Sequence, residues 1–301
     1  MTVIVMTGAT TGIGAAAVAH FGDARLIVGA RGGQVPGATM LPLDLASLAS
    51  VRGFAEAVVA ALDGARIDAL VLNAGGQRPD VAARSADGHE LTFAVNHLAH
   101  YLLARLLLPQ LAPGARIVIT SSGTHDPAER TPVPPPRHAD AAWLANPDAD
   151  PHRDAGATTA GMRAYSASKL CNLMTARSLA ALPEAAANGW IVTAYDPGLT
   201  PGTGLVRHQM WPVRALVWPL LPLLVRFRPG MNSLADAGAG LAVLTTTALP
   251  PAGRVYASLR KGVLTWPEPS VLARDDAAAA KLWADSAALV GLISPPAPRA
   301  I

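Results

Sequence analysis

The chain has 301 residues, 51% of them hydrophobic and 15% charged, with a mean hydropathy of +0.30, enough apolar material for one large core. Its net charge of +3 and pI near 9.3 are only mildly basic, and the Lys and Arg residues are scattered rather than gathered into a stripe with aromatics, so no nucleic-acid partner is expected. The single cysteine, Cys171, excludes an internal disulfide and leaves no Cys/His set at metal-ligand spacing, so no metal is expected and a reducing, cytoplasmic setting fits.

The β-branched run Thr2 to Met6 is too short for the apolar region of a signal peptide and reads as a strand. It enters Thr7-Gly8-Ala9-Thr10-Thr11-Gly12-Ile13-Gly14 and then a helical stretch, Ala15 to His20. Strand, glycine turn and helix in that order is the context in which such a loop binds a dinucleotide. Gly8 permits the tight turn, Gly12 lets backbone approach the pyrophosphate, and Gly14 lets helix pack on strand, while the helix N-terminus offers free N–H groups to phosphate. An ordinary tight turn is the competing reading.

Arg25 to Ala30 is the next strand. Where an NAD-selective site would hold the ribose 2′-hydroxyl with a carboxylate, the chain offers Ala30 and Arg31, and a guanidinium pairs with a 2′-phosphate. NADP(H) is therefore expected over NAD(H), against Arg31 as a solvated loop charge. The run Leu41 to Leu45 ends a third strand, with Asp44 placed either to bond an adenine amino group or to begin the cap of the helix Ser47 to Leu62.

Asp68 to Leu72 is a continuous apolar strand, as parallel strands buried on both faces are, and it ends in Asn73-Ala74-Gly75-Gly76. Small residues there leave room for a cofactor at the sheet edge. A long apolar-patterned helix follows from about Glu90 to Leu111, carrying Asn96 among His97, His100 and Tyr101. Asn96 either satisfies a neighbouring carbonyl or holds a water. The fifth strand, Arg116 to Thr120, runs into Ser121-Ser122-Gly123, where a hydroxyl faces the crevice used by open α/β sheets. Ser122 has no G-x-S-x-G elbow around it and reads as a hydrogen-bond donor to a substrate carbonyl rather than a nucleophile. His125 reads as loop or pocket lining.

The interval 123–164 is rich in Pro, Asp and Ala and too long for a plain connection, so it is expected to wall the substrate pocket. Tyr165-Ser166-Ala167-Ser168-Lys169 then opens an apolar-patterned helix on which residues i and i+4 share a face. A neighbouring ammonium favours the phenolate, which makes Tyr165 a candidate general acid/base, although the spacing alone also occurs on ordinary surfaces. Trp190 to Tyr195 is a sixth strand ending in Asp196-Pro197-Gly198, with Thr200 and Thr203 placed to meet a nicotinamide carboxamide.

Taken together, the glycine loop, Asn73-Ala74-Gly75, Asn96, Ser122, Tyr165-x-x-x-Lys169 and Pro197-Gly198 resemble the short-chain dehydrogenase/reductase family in order and spacing. Asn96-His97-Leu98-Ala99-His100-Tyr101 and Tyr165-Ser166-x-Ser168-Lys169-Leu170-Cys171-Asn172 are similar to its retinol dehydrogenase and protochlorophyllide reductase branch. The resemblance covers about Thr2 to Thr203. It implies Tyr165 as acid/base, Ser122 positioning the carbonyl, Lys169 holding the ribose and lowering the Tyr165 pKa, and Asn96 holding a relay water. The interval between Ser122 and Tyr165 is longer than in compact members of the family.

Beyond Thr203, 205–228 combines Trp211 and Trp218 with many Leu and flanking Arg. It reads as an apolar lid over a hydrophobic substrate, as a peripheral membrane contact, or as core packing or an oligomer contact, and its prolines at 212, 219 and 222 argue against one straight helix. Ser233 to Leu249 reads as a helix, Gly253 to Leu259 as a last strand and Ser270 to Val290 as a terminal helix. The expectation is a doubly wound α/β (Rossmann) domain with a parallel sheet of about seven strands and an elaborated substrate lobe, acting as monomer or homodimer. Its expected activity is NADP(H)-dependent hydride transfer at a carbonyl or carbinol carbon. Reduction of a conjugated C=C bond and a non-catalytic NADP-sensing role are the rivals.

Overall fold

Short apolar runs alternating with helical segments build one eight-stranded sheet, in the order β3-β2-β1-β4-β5-β6-β7-β8. The computed structural model describes residues 1–202 and 231–292. In chain order the strands are β1 (Val3–Thr7), β2 (Arg25–Ala30), β3 (Thr39–Pro42), β4 (Ile67–Leu72), β5 (Leu111–Thr120), β6 (Ile191–Asp196), β7 (Tyr256–Arg260) and β8 (Val263–Thr265). The helices are α1 (Gly12–Val18), α2 (Leu48–Leu62), α3 (Leu91–Phe93), α4 (Ala99–Leu107), α5 (Ala141–Ala145), α6 (Ala157–Ala180), α7 (Pro183–Asn188), α8 (Leu234–Thr246) and α9 (Asp276–Leu289).

The strands β1 to β7 pair in parallel, and β8 runs antiparallel beside β7. This doubly wound sheet is the expected class with one strand more than expected. At three residues, β8 is too short to show an alternation in sequence. The order reverses between β1 and β4, which opens a crevice at their carboxyl ends.

Both faces of the sheet are covered. One carries Val3, Val5, Leu70, Leu72, Ile117 and Ile119 against α2, α4, α6 and α9; the other carries Ile4, Met6, Val71 and Val118 against α1 and α8. Gly238 lets α8 cross α1 closely, since a Cβ there would lie 2.5 Å from the Ala16 Cβ. On the first face Trp283 of α9 meets Tyr101 edge to face at 4.9 Å, and the Tyr101 hydroxyl donates to the Trp283 carbonyl at 2.9 Å.

The helix expected from Glu90 to Leu111 is continuous but not uniform. Glu90 caps it by accepting from the Thr92 and Phe93 amides at 2.9 and 2.7 Å, and α3 then passes through a π-helical turn, Ala94–Leu98, into α4. The terminal helix starts later than expected, at Asp276, where Asp275 caps it and a 3-10 turn, Leu272–Arg274, precedes it. The interval 123–164 holds three 3-10 turns and α5 joined by irregular stretches, and α6 begins in it at Ala157, about two turns before the expected opening at Tyr165. Ion pairs hold it: Arg163 to Asp154 at 2.7 Å, Arg137 to Asp154 at 2.6 Å and Lys281 to Asp140 at 2.9 Å. Thr203 and the segment 205–228 lie outside the described residues.

Candidate active site

The cofactor turn is built where β1 ends. Gly8 has a φ of 69° and Gly12 one of 61°, conformations that favour glycine. A Cβ on Gly8 would sit 2.7 Å from the Ala74 Cα, and one on Gly14 would sit 2.0 Å from the Gly8 carbonyl oxygen. Thr11 is the N-cap of α1 in extended conformation and makes no side-chain cap, so it leaves the first amides of α1 to a ligand. Thr11 is exposed, and Thr10 and Ile13 are half-buried. Gly33, two residues past Arg31, comes up beside Thr10, with a Cβ there 3.4 Å from the Thr10 Cγ2. Exposed Arg31 thus projects from a loop that touches the glycine turn.

Asn73 ties this turn to the sheet. Its Nδ2 donates to the Gly8 carbonyl at 3.0 Å, and its Oδ1 accepts from Thr120 Oγ1 at 3.0 Å. The Asn73 and Ala74 amides both donate to Thr7 Oγ1 at 3.1 Å. Gly75 lets the loop pass close to the side chains of Asn96 and Lys169, since a Cβ there would be 3.0 Å from Asn96 Oδ1 and 3.3 Å from Lys169 Nζ. Asp44 and Leu45 follow the end of β3. The α2 cap is Ser47, which accepts from the Ser50 amide at 3.2 Å, while Asp44 Oδ1 forms the preceding turn with the Ala46 amide at 3.0 Å.

Asn96 lies in the π-helical turn, fully buried. Its amide reads both polar groups of Gly76, accepting from the N–H and donating to the carbonyl at 2.9 Å each, and its second Nδ2 hydrogen goes to Ser168 Oγ at 2.9 Å. A relay water would have to use its remaining lone pairs.

Tyr165 and Lys169 share the buried face of α6, as their spacing predicts. Ser122 neighbours the Tyr165 phenol and acts to lower its pKa, and its own Oγ accepts from the Thr124 amide at 3.3 Å. Lys169 Nζ donates to the Thr120 carbonyl at 3.1 Å and lies 5.7 Å from the centre of the Tyr165 ring. The proton balance differs from the expectation. Burial pushes the Tyr165 phenol up to about 12, against Ser122 and with help from the Asp196 charge. Burial also brings Lys169 down to about 8. Desolvation therefore outweighs Ser122, the one influence among the described residues that lowers the phenol.

Beyond these, the site holds residues that motif reasoning passed over. Asp196, 1% exposed, closes β6 just before Pro197 and Gly198. Its Oδ2 accepts from Ser258 Oγ at 2.8 Å, the Tyr256 hydroxyl at 3.2 Å and Arg260 at 2.9 Å, and its Oδ1 accepts from the Gly198 amide at 2.9 Å. Burial raises its carboxyl, but Arg260 and these donors more than offset that and hold it below the usual range. Arg260 reaches on to Glu129 at 2.7 Å, which fastens the 3-10 turn Pro127–Glu129 beside the site. A carboxylate ending a buried strand was the available signal.

Asn232 donates to the Pro197 and Leu259 carbonyls at 2.9 Å each and so braces the chain at Pro197, Gly198 and Thr200; nothing in the sequence marked it. Thr200 Oγ1 turns back to the Pro197 and Gly198 carbonyls at 3.3 and 3.2 Å. His125 is buried, with Nδ1 2.8 Å from the Ser122 carbonyl and its ring edge-on to Tyr256.

A family model described as short chain dehydrogenase matches residues 2–131. Protochlorophyllide reductase A of Hordeum vulgare is 32% identical over 96% of this chain and 80% of its own length. The chain belongs to the short-chain dehydrogenase family. Protochlorophyllide reductase of Avena sativa is 33% identical over 96% of this chain and all of its own length. Among solved structures, an uncharacterised protein from Mycobacterium Paratuberculosis matches with a TM-score of 0.65 at 26% identity, covering 98% of this chain and 96% of that one. The family is one of oxidoreductases, and these relatives span both sides of the Ser122, Tyr165 and Lys169 constellation.

Proposed function

We propose that this protein is an NADP(H)-dependent reductase of a hydrophobic substrate, acting on a carbonyl carbon with Tyr165 as proton donor. The observation that carries the proposal is the placing of Tyr165 beside Ser122 at the carboxyl end of β5, with Lys169 on the same buried helix face. Bound NADPH supplies the hydride. Gly8, Gly12, Gly14, Asn73, Ala74 and Gly75 would hold the dinucleotide: the positive φ of Gly8 and Gly12 shapes the turn, and the missing Cβ atoms of Gly8, Gly14 and Gly75 let it pack closely on Asn73, Ala74 and Asn96. Arg31 would hold the 2′-phosphate, and Pro197, Gly198 and Thr200 would floor the nicotinamide.

As charge develops on the substrate oxygen, Ser122 and Tyr165 both donate to it from fixed positions in a dry site. The raised phenol keeps its proton at neutral pH, as a group that must deliver one requires. Lys169, with Nζ 5.7 Å from the centre of the Tyr165 ring, would supply positive charge near the phenol once the proton has gone.

A second reading, reduction of a conjugated C=C bond, is favoured by the relatives named protochlorophyllide reductase. It uses the same hydride and the same Tyr165 proton. The deciding experiment follows NADPH oxidation against hydrophobic aldehydes, ketones, enones and protochlorophyllide, with product analysis to show which bond is reduced. Tyr165→Phe should remove turnover while leaving NADPH affinity unchanged, because only the transferable proton is lost. Near-normal turnover by that variant would overturn the role assigned to Tyr165.

A further inference from the structure

His100 stands one helical turn after Asn96 and is 2% exposed. Its Nε2 is 3.0 Å from Thr7 Oγ1 and its Nδ1 is 3.0 Å from the Asn96 carbonyl oxygen. Hydrogen-bond accounting places the ring proton. Thr7 Oγ1 already accepts from the Asn73 and Ala74 amides, which fills both of its lone pairs. Its own hydrogen must therefore go to His100 Nε2, which accepts it. The ring hydrogen is then on Nδ1, donated to the Asn96 carbonyl. Burial lowers the imidazole to about 4, the Asn96 carbonyl opposing and the nearby Lys169 charge adding to it, so the ring is neutral at physiological pH and each nitrogen has one partner.

We infer that His100, as its neutral Nδ1–H tautomer, is a positioning residue that holds the cofactor turn and the Asn96 turn in one register. This rests on the functional reading above. On the Nε2 side, Thr7 leads directly into Gly8, where the chain passes against Ala74 with no space to spare. On the Nδ1 side, Asn96 donates to Ser168 Oγ, and Ser168 Oγ donates to the Tyr165 carbonyl at 2.7 Å. A continuous series of hydrogen bonds thus runs from the pyrophosphate turn to the helix turn that carries the proton donor. The two nitrogens serve different ends of the reaction, so their effects should separate.

The test exploits that separation. His100→Asn keeps an amide donor near the Nδ1 position and no longer reaches Thr7. His100→Gln reaches the Nε2 position and gives up the donor to Asn96. The expected result is about tenfold weaker NADPH binding with near-normal kcat for His100→Asn, and near-normal NADPH binding with kcat down about tenfold for His100→Gln. A residue that merely fills space would move both quantities together in both variants, and that result, or no change in either, would overturn the inference.

The wild-type protein supplies an independent measurement: since His97 and His125 also direct Nδ1 at an oxygen, nitrogen-15 NMR with the His100 ring sequentially assigned should show that ring protonated at Nδ1 and bare at Nε2 across neutral pH. Protonation at Nε2 would overturn the inference even if neither variant folded. Should the wild type turn over no substrate, the functional reading fails, while the tautomer and the NADPH titrations still decide the role of His100.

Discussion

Replacing Lys169 by methionine should stabilise the fold while abolishing turnover. The ammonium is 3% exposed, and burial brings it from 10.5 to about 8. At 1.36 kcal/mol per unit, a folded protein that keeps this group charged carries a penalty of about 3 kcal/mol. Its hydrogen bond to the Thr120 carbonyl returns about 1 kcal/mol. That carbonyl is not orphaned by the substitution, since Asn172 Nδ2 also donates to it at 3.1 Å. The net gain for Lys169→Met at pH 7 is about 2 kcal/mol. The sign with pH is fixed by the folded value lying below the unfolded one: the penalty is complete below pH 8 and fades as pH rises towards 10.5. Urea unfolding of both proteins from pH 7 to pH 10 reads this directly. A variant no more stable than wild type at pH 7, or a difference that stays constant across the series, would refute the reasoning.

Arg260→Met leaves the Asp196 carboxylate buried without its cation and should cost about 3 kcal/mol in urea unfolding; adding Asp196→Asn should recover part of that, and additive losses would show that the two groups do not act as a pair. Gly14→Ala would drive a Cβ to 2.0 Å from the Gly8 carbonyl oxygen, so NADPH binding should be lost in titrations at temperatures where circular dichroism shows the variant folded; retained affinity would refute the cradle. Arg31→Ala should weaken NADPH binding about tenfold and leave NADH unaffected, whereas equal losses for both would remove the 2′-phosphate from its role.

What the sequence made legible is what local geometry carries. The Tyr165 and Lys169 spacing places both on one helix face without any knowledge of the partner strand. The glycine turn is equally local, because Gly8 and Gly14 meet within a single turn. The Asp196 hub was half legible. Tyr256, Ser258 and Arg260 fall at alternate positions of β7 and so share one face, but only the pairing of Asp196 with Ser258 across β6 and β7 shows what that face meets. His100 is a similar case: its distance from Asn96 is local, while Thr7 is 93 residues away in sequence.

The Tyr165 proton is where local reasoning pointed the other way. Spacing shows that an ammonium is near the phenol, but it does not show how deeply both are buried, and burial acts on the two groups together. The desolvation that keeps the proton on Tyr165 also draws Lys169 down towards neutrality. Any change that admits water to the site would relax both shifts together, raising Lys169 towards 10.5 and lowering the phenol towards 10. A lower phenol pKa means a stronger acid and a weaker conjugate base, so the packing that excludes water around α6 sets how readily Tyr165 gives up its proton and how strongly it takes one back.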